Sequence, residues 1–333
     1  MNLQQRIDLL SRLGEYILSG DPAWQKAKEK AARENSWFIP EFIDSAAQAI
    51  ASSFLQKDIL ATWVGAYPIP SERPDPKTIG IVMAGNIPLV GFHDLLCVFI
   101  SGHKALVKPS SKDAVLIRHL ADTLIAWDSA VSESISFAER LNGCDAYIAT
   151  GSNTSAGHFD YYFGKYPHII RRNRTAVAVL TGEETPEQLG RLADDVYLYF
   201  GLGCRNVSKL YVPPAYDFVP LLTAFKKYDR LADHDKYRNN YDYNLAILLL
   251  NKKYYMSNPS ILLSEDPSFF SRISQLNYEF YTDKEELARS LKGNSALQCI
   301  VGNDFTSFGA AQTPGIADYA DGIDTLGFLT RIG

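Results

Sequence analysis

The sequence has 333 residues, 46% of them hydrophobic, and a formal net charge of −5. A chain of this length is too long for one ordinary hydrophobic core, so we expect two domains. The acidic balance excludes a broadly basic surface of the kind that binds nucleic acid. No apolar run reaches the ~18 residues that a membrane helix needs, and residues 1–10 are charged and amphipathic, unlike a signal peptide. These features predict a cytoplasmic globular protein.

The predicted elements begin with helices and continue as a β/α alternation. Residues 1–60 carry apolar side chains at helical spacing, and residues 67–77 hold four prolines, which predict an extended connector. Short apolar runs then alternate with amphipathic ones, the pattern of βαβ units in a parallel sheet. The predicted strands are 79–83, 105–107, 134–137, 146–149, 176–180, 209–212, 245–250 and 300–301. The predicted helices are 91–101, 112–127, 155–163, 185–199, 219–228 and 285–291.

Four cysteines, far apart in the sequence, are typical of a protein from a reducing compartment. No Cys-x-x-Cys spacing occurs, so we expect no metal centre. Cys97 and Cys299 lie within apolar runs and are expected to be buried. Cys144 follows the turn signal Asn142-Gly143.

Cys204 differs from these because glycines precede it in Gly201-Leu202-Gly203-Cys204, between a predicted helix and a predicted strand. Glycine permits tight turns and the close approach of other molecules. A thiol presented in this way can attack a carbonyl carbon where nearby cations or N–H dipoles favour the thiolate. Arg205 is adjacent in sequence. The alternative is a structural cysteine, and the motif by itself leaves both interpretations open.

Polar residues follow the first two predicted strands. Asn86 lies between a strand and a helix, where ligands of parallel sheets gather, so its amide could donate to an oxyanion; a turn role is the alternative. Lys108 ends the second strand, and Ser110 can cap the next helix. This pair would suit a nucleotide ribose or its 2′-phosphate, and the lack of an adjacent acidic residue favours NADPH over NADH. A solvated lysine is the alternative.

A loop of small residues follows the strand at 146–149. It contains Thr150, Gly151 and Ser152 and leads into a predicted helix. Such loops let backbone N–H groups approach a pyrophosphate. The motif alone is weak, because it matches neither the dinucleotide fingerprint nor the P-loop.

Together, these segments resemble the aldehyde dehydrogenase superfamily in their order and spacing. The closer similarity is to its acyl-CoA reductase branch, which is related to the fatty-acid reductase subunit of bacterial bioluminescence. It spans roughly residues 76–333. The segments that carry the resemblance are residues 85–96, 102–108, 150–152, 201–204 and 324–329.

The resemblance implies an α/β fold of two Rossmann-like parallel-sheet domains with an active-site cleft between them. We expect N-terminal helices at 1–70, an NADP-binding domain at 71–180 and a catalytic domain at 181–311. We expect residues 312–333 to return to the cleft or to the cofactor domain.

The resemblance also implies roles for the residues singled out above. Cys204 would be the nucleophile and Asn86 the oxyanion donor. Lys108, beside Ser110, would hold the adenosine ribose, and the loop with Thr150, Gly151 and Ser152 would lie over the cofactor phosphates. The reaction implied is NADPH-dependent reduction of a fatty acyl-CoA to the aldehyde through an acyl-cysteine thioester, with NADH as the alternative cofactor.

The sequence departs from the superfamily pattern in one respect. Oxidising members place a glutamate about one strand and one helix before the cysteine, as general base for hydrolysis. Residues 168–172 stand there and contain no carboxylate, which leaves His168 as a candidate for proton transfer. The missing base favours transfer to a thiol over oxidation to a free acid.

Two alternative functions stay open at this point. One is another reaction of the superfamily, either aldehyde oxidation or acyl-phosphate reduction. The other is a protein without catalysis that binds acyl-CoA or a partner. The expected partners of an active enzyme are acyl-CoA and an acyl-transferring companion enzyme. A homodimer like those of the family is left open, because the chain is short of a separate oligomerisation hairpin.

Overall fold

The computed structural model describes residues 1–332, which form two compact units. The first unit contains residues 1–173 and the chain from 314 onward, and the second contains residues 174–313. The boundary lies before the predicted change near residue 180, because the strand that starts at Thr175 pairs within the second sheet. Within residues 1–332, no helix has both the length and the apolar character needed to cross a bilayer.

Four helices open the first unit. Asn2 begins the first with a capping box, in which its side chain accepts from the Gln5 N–H, and prolines start the next two. The helices bury their apolar faces in the same core as the first sheet. They are α1 (Leu3–Leu18), α2 (Pro22–Glu34), α3 (Pro40–Ser53) and α4 (Lys57–Gly65).

The first sheet has five parallel strands in the order β3-β2-β1-β4-β5. Residues 79–81 in β1 are all buried, as expected for a strand covered on both faces. The elements are β1 (Thr78–Val82), α5 (Phe92–Ser101), β2 (Lys104–Lys108), α6 (Ala114–Trp127), β3 (Ile135–Phe137), β4 (Ala146–Thr150), α7 (Asn153–Phe163) and β5 (His168–Arg171).

The second unit contains a six-stranded sheet in the order β11-β6-β7-β10-β9-β8. All neighbouring strands are parallel except β8, which pairs antiparallel with β9 at the edge. The elements are β6 (Thr175–Val179), α8 (Pro186–Tyr197), β7 (Val207–Val212), α9 (Phe218–Phe225), α10 (Asp235–Leu250), β8 (Met256–Ser257), β9 (Leu262–Glu265), β10 (Gln275–Phe280), α11 (Lys284–Leu291) and β11 (Leu297–Val301).

The prediction of a strand at 245–250 is wrong, because these residues form the last turns of α10. That helix starts after His234, and its buried residues recur every three or four positions. The apolar run that suggested a strand leaves Leu249 and Leu250 exposed. The sequence pattern also does not predict β5, β8, β9 or β10, which are short or carry polar residues.

The C-terminal segment returns to the first unit and adds α12 (Thr325–Thr330). Buried Arg171, at the end of β5, donates to the Asp94 carboxylate at 2.6 Å and to the Thr325 hydroxyl at 2.7 Å. It also reaches the Thr150 hydroxyl at 3.4 Å. This guanidinium therefore connects the C-terminal segment to α5 and to the end of β4.

Removing the carboxylate of this buried pair should strongly destabilise the protein. Asp94→Ala leaves the Arg171 charge buried without its partner, and such changes cost about 3–5 kcal/mol in the free energy of unfolding. Urea unfolding of the variant and the wild type measures the loss. The control is Asp160→Ala, which breaks an exposed pair with Arg172 in the same unit and should cost less than about 1 kcal/mol. Equal losses in the two variants would contradict the prediction.

Candidate active site

Cys204 lies at the corner of a tight turn directly before β7. The Asn206 N–H donates to the Gly203 carbonyl at 3.1 Å, so Cys204 and Arg205 are the two central residues of the turn. The Cys204 side chain is half-buried. A thiol in this place is held by backbone geometry and remains partly accessible, as a nucleophile must be.

The segment before this turn has an unusual backbone. Tyr199, Phe200 and Gly201 are consecutive and all left-handed, with φ of 57°, 57° and 73°. The left-handed conformation costs about 1–2 kcal/mol for each residue that carries a side chain. Burial of the two aromatic rings offsets this cost: Phe200 is 1% exposed and packs against Tyr237 at 5.6 Å between ring centroids. In the sequence, only Gly201 indicates a left-handed conformation, because glycine adopts it without strain.

Asn206 fixes the turn with its side chain. Its Oδ1 accepts from the Gly203 N–H at 2.7 Å. Its Nδ2 donates to the carbonyls of Asp195 at 3.1 Å, Val196 at 3.3 Å and Leu198 at 2.8 Å. The first two carbonyls belong to the last turn of α8, where they would otherwise lack intrahelical partners, and that of Leu198 directly follows the helix.

The other three cysteines are poor candidates for a nucleophile. Burial raises the pKa of the fully buried Cys97 thiol well above its usual range, and it also raises the pKa of Cys144. Cys299 is half-buried in β11. Burial raises its pKa to about 11, although the positive charge of Arg205 and, to a lesser extent, a hydrogen bond from it oppose that shift. Cys299 therefore remains a protonated thiol near neutral pH.

Asn86 is exposed in the connection between β1 and α5. The connection is held by Leu89, which is left-handed (φ 58°) and donates its N–H to the Asp113 Oδ2 at 2.6 Å. A Cβ atom on Gly85 would lie 2.5 Å from the Ser110 Oγ, so only glycine fits there without a shift. The loop that carries Asn86 thus packs directly on the loop that follows Lys108.

Lys108 is exposed at the carboxyl end of β2, and Ser110 follows it. The sequence predicts that a serine caps the next helix, and this is wrong: the residue before α6 is Asp113, and the Ser110 Oγ accepts from the Lys112 N–H at 3.2 Å instead. Ser110 lies beside Gly85, in the turn before the helix.

The loop after β4 has the predicted position. Thr150 is the last residue of β4, Gly151 follows it, and Ser152 caps α7 by accepting from the Ser155 N–H at 3.2 Å. Thr150 and Lys108 both end strands on the same edge of the first sheet. Parallel strands bind ligands at this edge, and the chain reverses its strand order between β1 and β4, where a crevice is expected.

A cavity of about 730 Å³ lies within the first unit and includes Lys108 in its lining. Two further cations, Arg140 and Lys165, line it together with one carboxylate, that of Glu139. A cavity of this size with flat rings and several cations suits a nucleotide, whose base stacks and whose phosphates need positive charge. The aromatic lining residues are Tyr147, Phe159, Tyr162, Phe163 and Tyr166.

His168 is not brought together with Thr150, because the two residues lie at opposite ends of neighbouring strands. It begins β5 and pairs with Tyr147, whereas Thr150 pairs with Arg171 at the other end of the strand. Three residues along a strand correspond to about 10 Å. The exposed His168 ring faces the Tyr166 carbonyl at 2.8 Å.

Sequence reasoning missed two residues that organise the site. Asn206 fixes the Cys204 turn, and Asp113 fixes the Asn86 loop. A signal existed for the first, because asparagine side chains often bond to nearby backbone groups in turns. No local signal exists for Asp113, since its contact with Leu89 depends on how two loops of the sheet meet.

No protein-family model and no curated protein matches the chain. Solved structures do match. Aldehyde dehydrogenase 21 from Physcomitrella patens is 11% identical, with a TM-score of 0.68 over 91% of this chain and 74% of that chain. An aldehyde dehydrogenase from Mycobacterium tuberculosis complexed with NAD+ is 12% identical, with a TM-score of 0.62 over 87% and 70%. The chain has the aldehyde dehydrogenase fold. The predicted α/β class with two parallel, Rossmann-like sheets is thereby confirmed.

Asp113 should make the stability depend on pH. Burial raises its pKa to about 8, so the folded protein keeps a proton that the unfolded chain loses near pH 4. The free energy of unfolding should therefore fall as the pH rises from about 4 to about 8. Asp113→Asn keeps an acceptor for the Leu89 N–H and carries no titratable group. The variant should therefore not show this fall in unfolding free energy, which is of the order of a few kcal/mol.

Urea unfolding at pH 5, 6, 7 and 8 tests this prediction. The difference in unfolding free energy between Asp113→Asn and the wild type should grow in favour of the variant across the series. Two parallel pH profiles would show that the carboxyl is already ionised in the folded protein.

Proposed function

We propose that the protein is an acyl-CoA reductase that uses NADPH to convert a fatty acyl-CoA into the aldehyde through an acyl-cysteine at Cys204. The observation that carries this proposal is the Cys204 turn, in which the thiol is half-buried and its backbone is closed by Asn206. The aldehyde dehydrogenase fold supports an oxidoreductase that acts on aldehydes.

In the proposed first step, the Cys204 thiolate forms a bond to the thioester carbonyl carbon. The bond from that carbon to the CoA sulfur breaks, and CoA leaves as a thiolate that takes up a proton. An N–H donor such as the backbone amide of Cys204 stabilises the negative charge on the carbonyl oxygen. Each such donor lowers the barrier by about 3 kcal/mol.

A nicotinamide dinucleotide, when bound, supplies the hydride that reduces the acyl group. The residues of the first unit fit such a group. Lys108 would hold the adenosine ribose, and the cavity beside it offers aromatic rings and the cations of Arg140 and Lys165. The excess of cations over carboxylates in this cavity supports NADPH, whose 2′-phosphate adds negative charge. Breaking the bond to the Cys204 sulfur then releases the aldehyde.

Glu184, which lies just before α8, is a poor candidate for the base that hydrolysis needs. Glu184 accepts hydrogen bonds from the Thr181 N–H at 2.6 Å, the Thr181 hydroxyl at 2.9 Å and the Gly182 N–H at 3.1 Å. Its two oxygens therefore close the β6–α8 connection. Because both oxygens of Glu184 already accept hydrogen bonds, this carboxylate is not set up to activate water. This supports transfer between thiols over oxidation of an aldehyde to the acid.

Cys204→Ser should abolish formation of the acyl-enzyme. A serine hydroxyl at this turn has no thiolate to attack the thioester, so NADPH oxidation with acyl-CoA should fall by at least about 10³-fold. Radiolabelled acyl-CoA, followed by mass spectrometry of the labelled peptide, locates the acyl group. Cys299→Ser is the matched control and should keep both labelling and turnover, because its thiol stays protonated.

The same experiment separates the alternatives. Label retention in Cys204→Ser would refute the nucleophile. Oxidation of an aldehyde without CoA, or turnover with an acyl phosphate alone, would assign one of the other reactions of the superfamily. NADPH binding without any turnover would identify a protein that only binds.

Lys108→Ala should weaken NADPH binding with little change in kcat at saturation. Loss of a charge-assisted hydrogen bond corresponds to about a ten- to hundred-fold rise in the KM for NADPH. Lys104→Ala is the matched control, because this exposed lysine begins the same strand and lies at the opposite edge of the sheet. An unchanged KM in Lys108→Ala would remove the ribose contact from the proposal.

A further inference from the structure

We infer that Asn206 is the positioning residue of the nucleophile: its buried amide sets the Cys204 sulfur against its substrate carbonyl. This inference rests on the proposed function in one respect, the assignment of Cys204 as the nucleophile. Asn206 is 1% exposed, so it acts only through the residues that it holds.

Asn206 closes the turn from both of its ends. The backbone N–H of Asn206 donates to the Gly203 carbonyl at 3.1 Å, and its side-chain Oδ1 accepts from the Gly203 N–H at 2.7 Å. The two bonds run between the same two residues and enclose Cys204 and Arg205. The backbone that carries the thiol therefore cannot rotate unless at least one of these bonds breaks.

The amide nitrogen fixes the turn to the rest of the unit. The three carbonyls that face Nδ2 come from the last turn of α8 and from Leu198, the residue before the left-handed segment. Two amide hydrogens serve these three acceptors, so at least one bond is shared. The side chain thus connects the helix end to the thiol turn, across the strained residues Tyr199 and Phe200.

Only an amide of this length satisfies both sets of partners. Asn206→Asp keeps an acceptor for Gly203 but turns an oxygen, which cannot donate, towards the carbonyls of α8. Asn206→Ala leaves the Gly203 N–H and those carbonyls without the side chain that satisfies them. Asn206→Ser is smaller and keeps one acceptor, so it is the variant to use where alanine prevents folding.

Asn258 provides a matched control in the same unit. Its buried side chain also makes several bonds: Oδ1 accepts from the N–H groups of Ser260 and Ile261, both at 2.9 Å, and Nδ2 donates to the Leu222 carbonyl at 3.3 Å. It holds the turn that leads into β9. Its network reaches the Tyr197 hydroxyl through Ser260, but not the carbonyls that Asn206 holds. A change at Asn258 should therefore disturb stability while the bonds of the thiol turn stay in place.

The test compares Asn206→Ala, Asn206→Ser and Asn258→Ala with the wild type in three measurements: the melting temperature, amide hydrogen exchange of residues 199–206, and the single-turnover rate of Cys204 acylation by acyl-CoA. In the Asn206 variants, exchange in this segment should accelerate by at least about ten-fold and acylation should fall by about a hundred-fold, the range that ~1 Å of misplacement produces. The KM for NADPH should stay within about two-fold, as expected for a loss confined to the transition state.

The Asn258→Ala variant should lose melting temperature while keeping exchange in this segment and acylation within about three-fold of wild type. Two results would overturn the inference. One is acylation that falls equally in the Asn206 and Asn258 variants. The other is exchange of residues 199–206 that does not accelerate in the Asn206 variants. A wild-type protein that is not acylated at Cys204 would instead refute the proposed function, and the exchange measurement would still decide whether Asn206 holds the turn.

Discussion

The second unit depends on the buried side-chain amide of Asn206. This amide holds the backbone before Cys204 in a conformation that the chain would not adopt by itself. Tyr199 and Phe200 together cost about 2–4 kcal/mol in the left-handed conformation, and each hydrogen bond contributes only about 1 kcal/mol net. The bonds of Asn206 are thus comparable to the strain. What keeps the turn closed is the penalty for opening it, because buried N–H and carbonyl groups would lose their partners away from water.

The first unit uses the same principle at the loop that carries Asn86. Leu89 is also left-handed, and the buried Asp113 carboxyl holds its N–H. The close contact between Gly85 and Ser110 then connects this loop to the one that follows Lys108. The candidate oxyanion donor and the candidate ribose ligand therefore lie on one rigid edge of the sheet, held by contacts between loops that are distant in sequence.

The sequence predicted most of the β/α alternation, since buried parallel strands and amphipathic helices have clear hydrophobic patterns. It failed where a pattern was ambiguous or where a contact was non-local. The run at 245–250 is apolar enough for a strand, and only its continuity with the preceding helical turns makes it the end of α10. The burial of Arg171 beside Asp94 could not be predicted, because the two residues are far apart along the chain and meet only through the sheet.

The proposed acyl-cysteine would have to survive until it is reduced. Hydrolysis of an acyl-cysteine needs a carboxylate or imidazole that can activate water. Glu184 is held by three hydrogen bonds in its own connection, and His168 lies at the amino end of its strand. Cys299, the cysteine beside Arg205, keeps its proton because burial raises its pKa, so it is a poor nucleophile. Under the proposed function, the hydrogen bonds that occupy Glu184 make this carboxylate a poor base, which favours reduction of the acyl-cysteine over its hydrolysis.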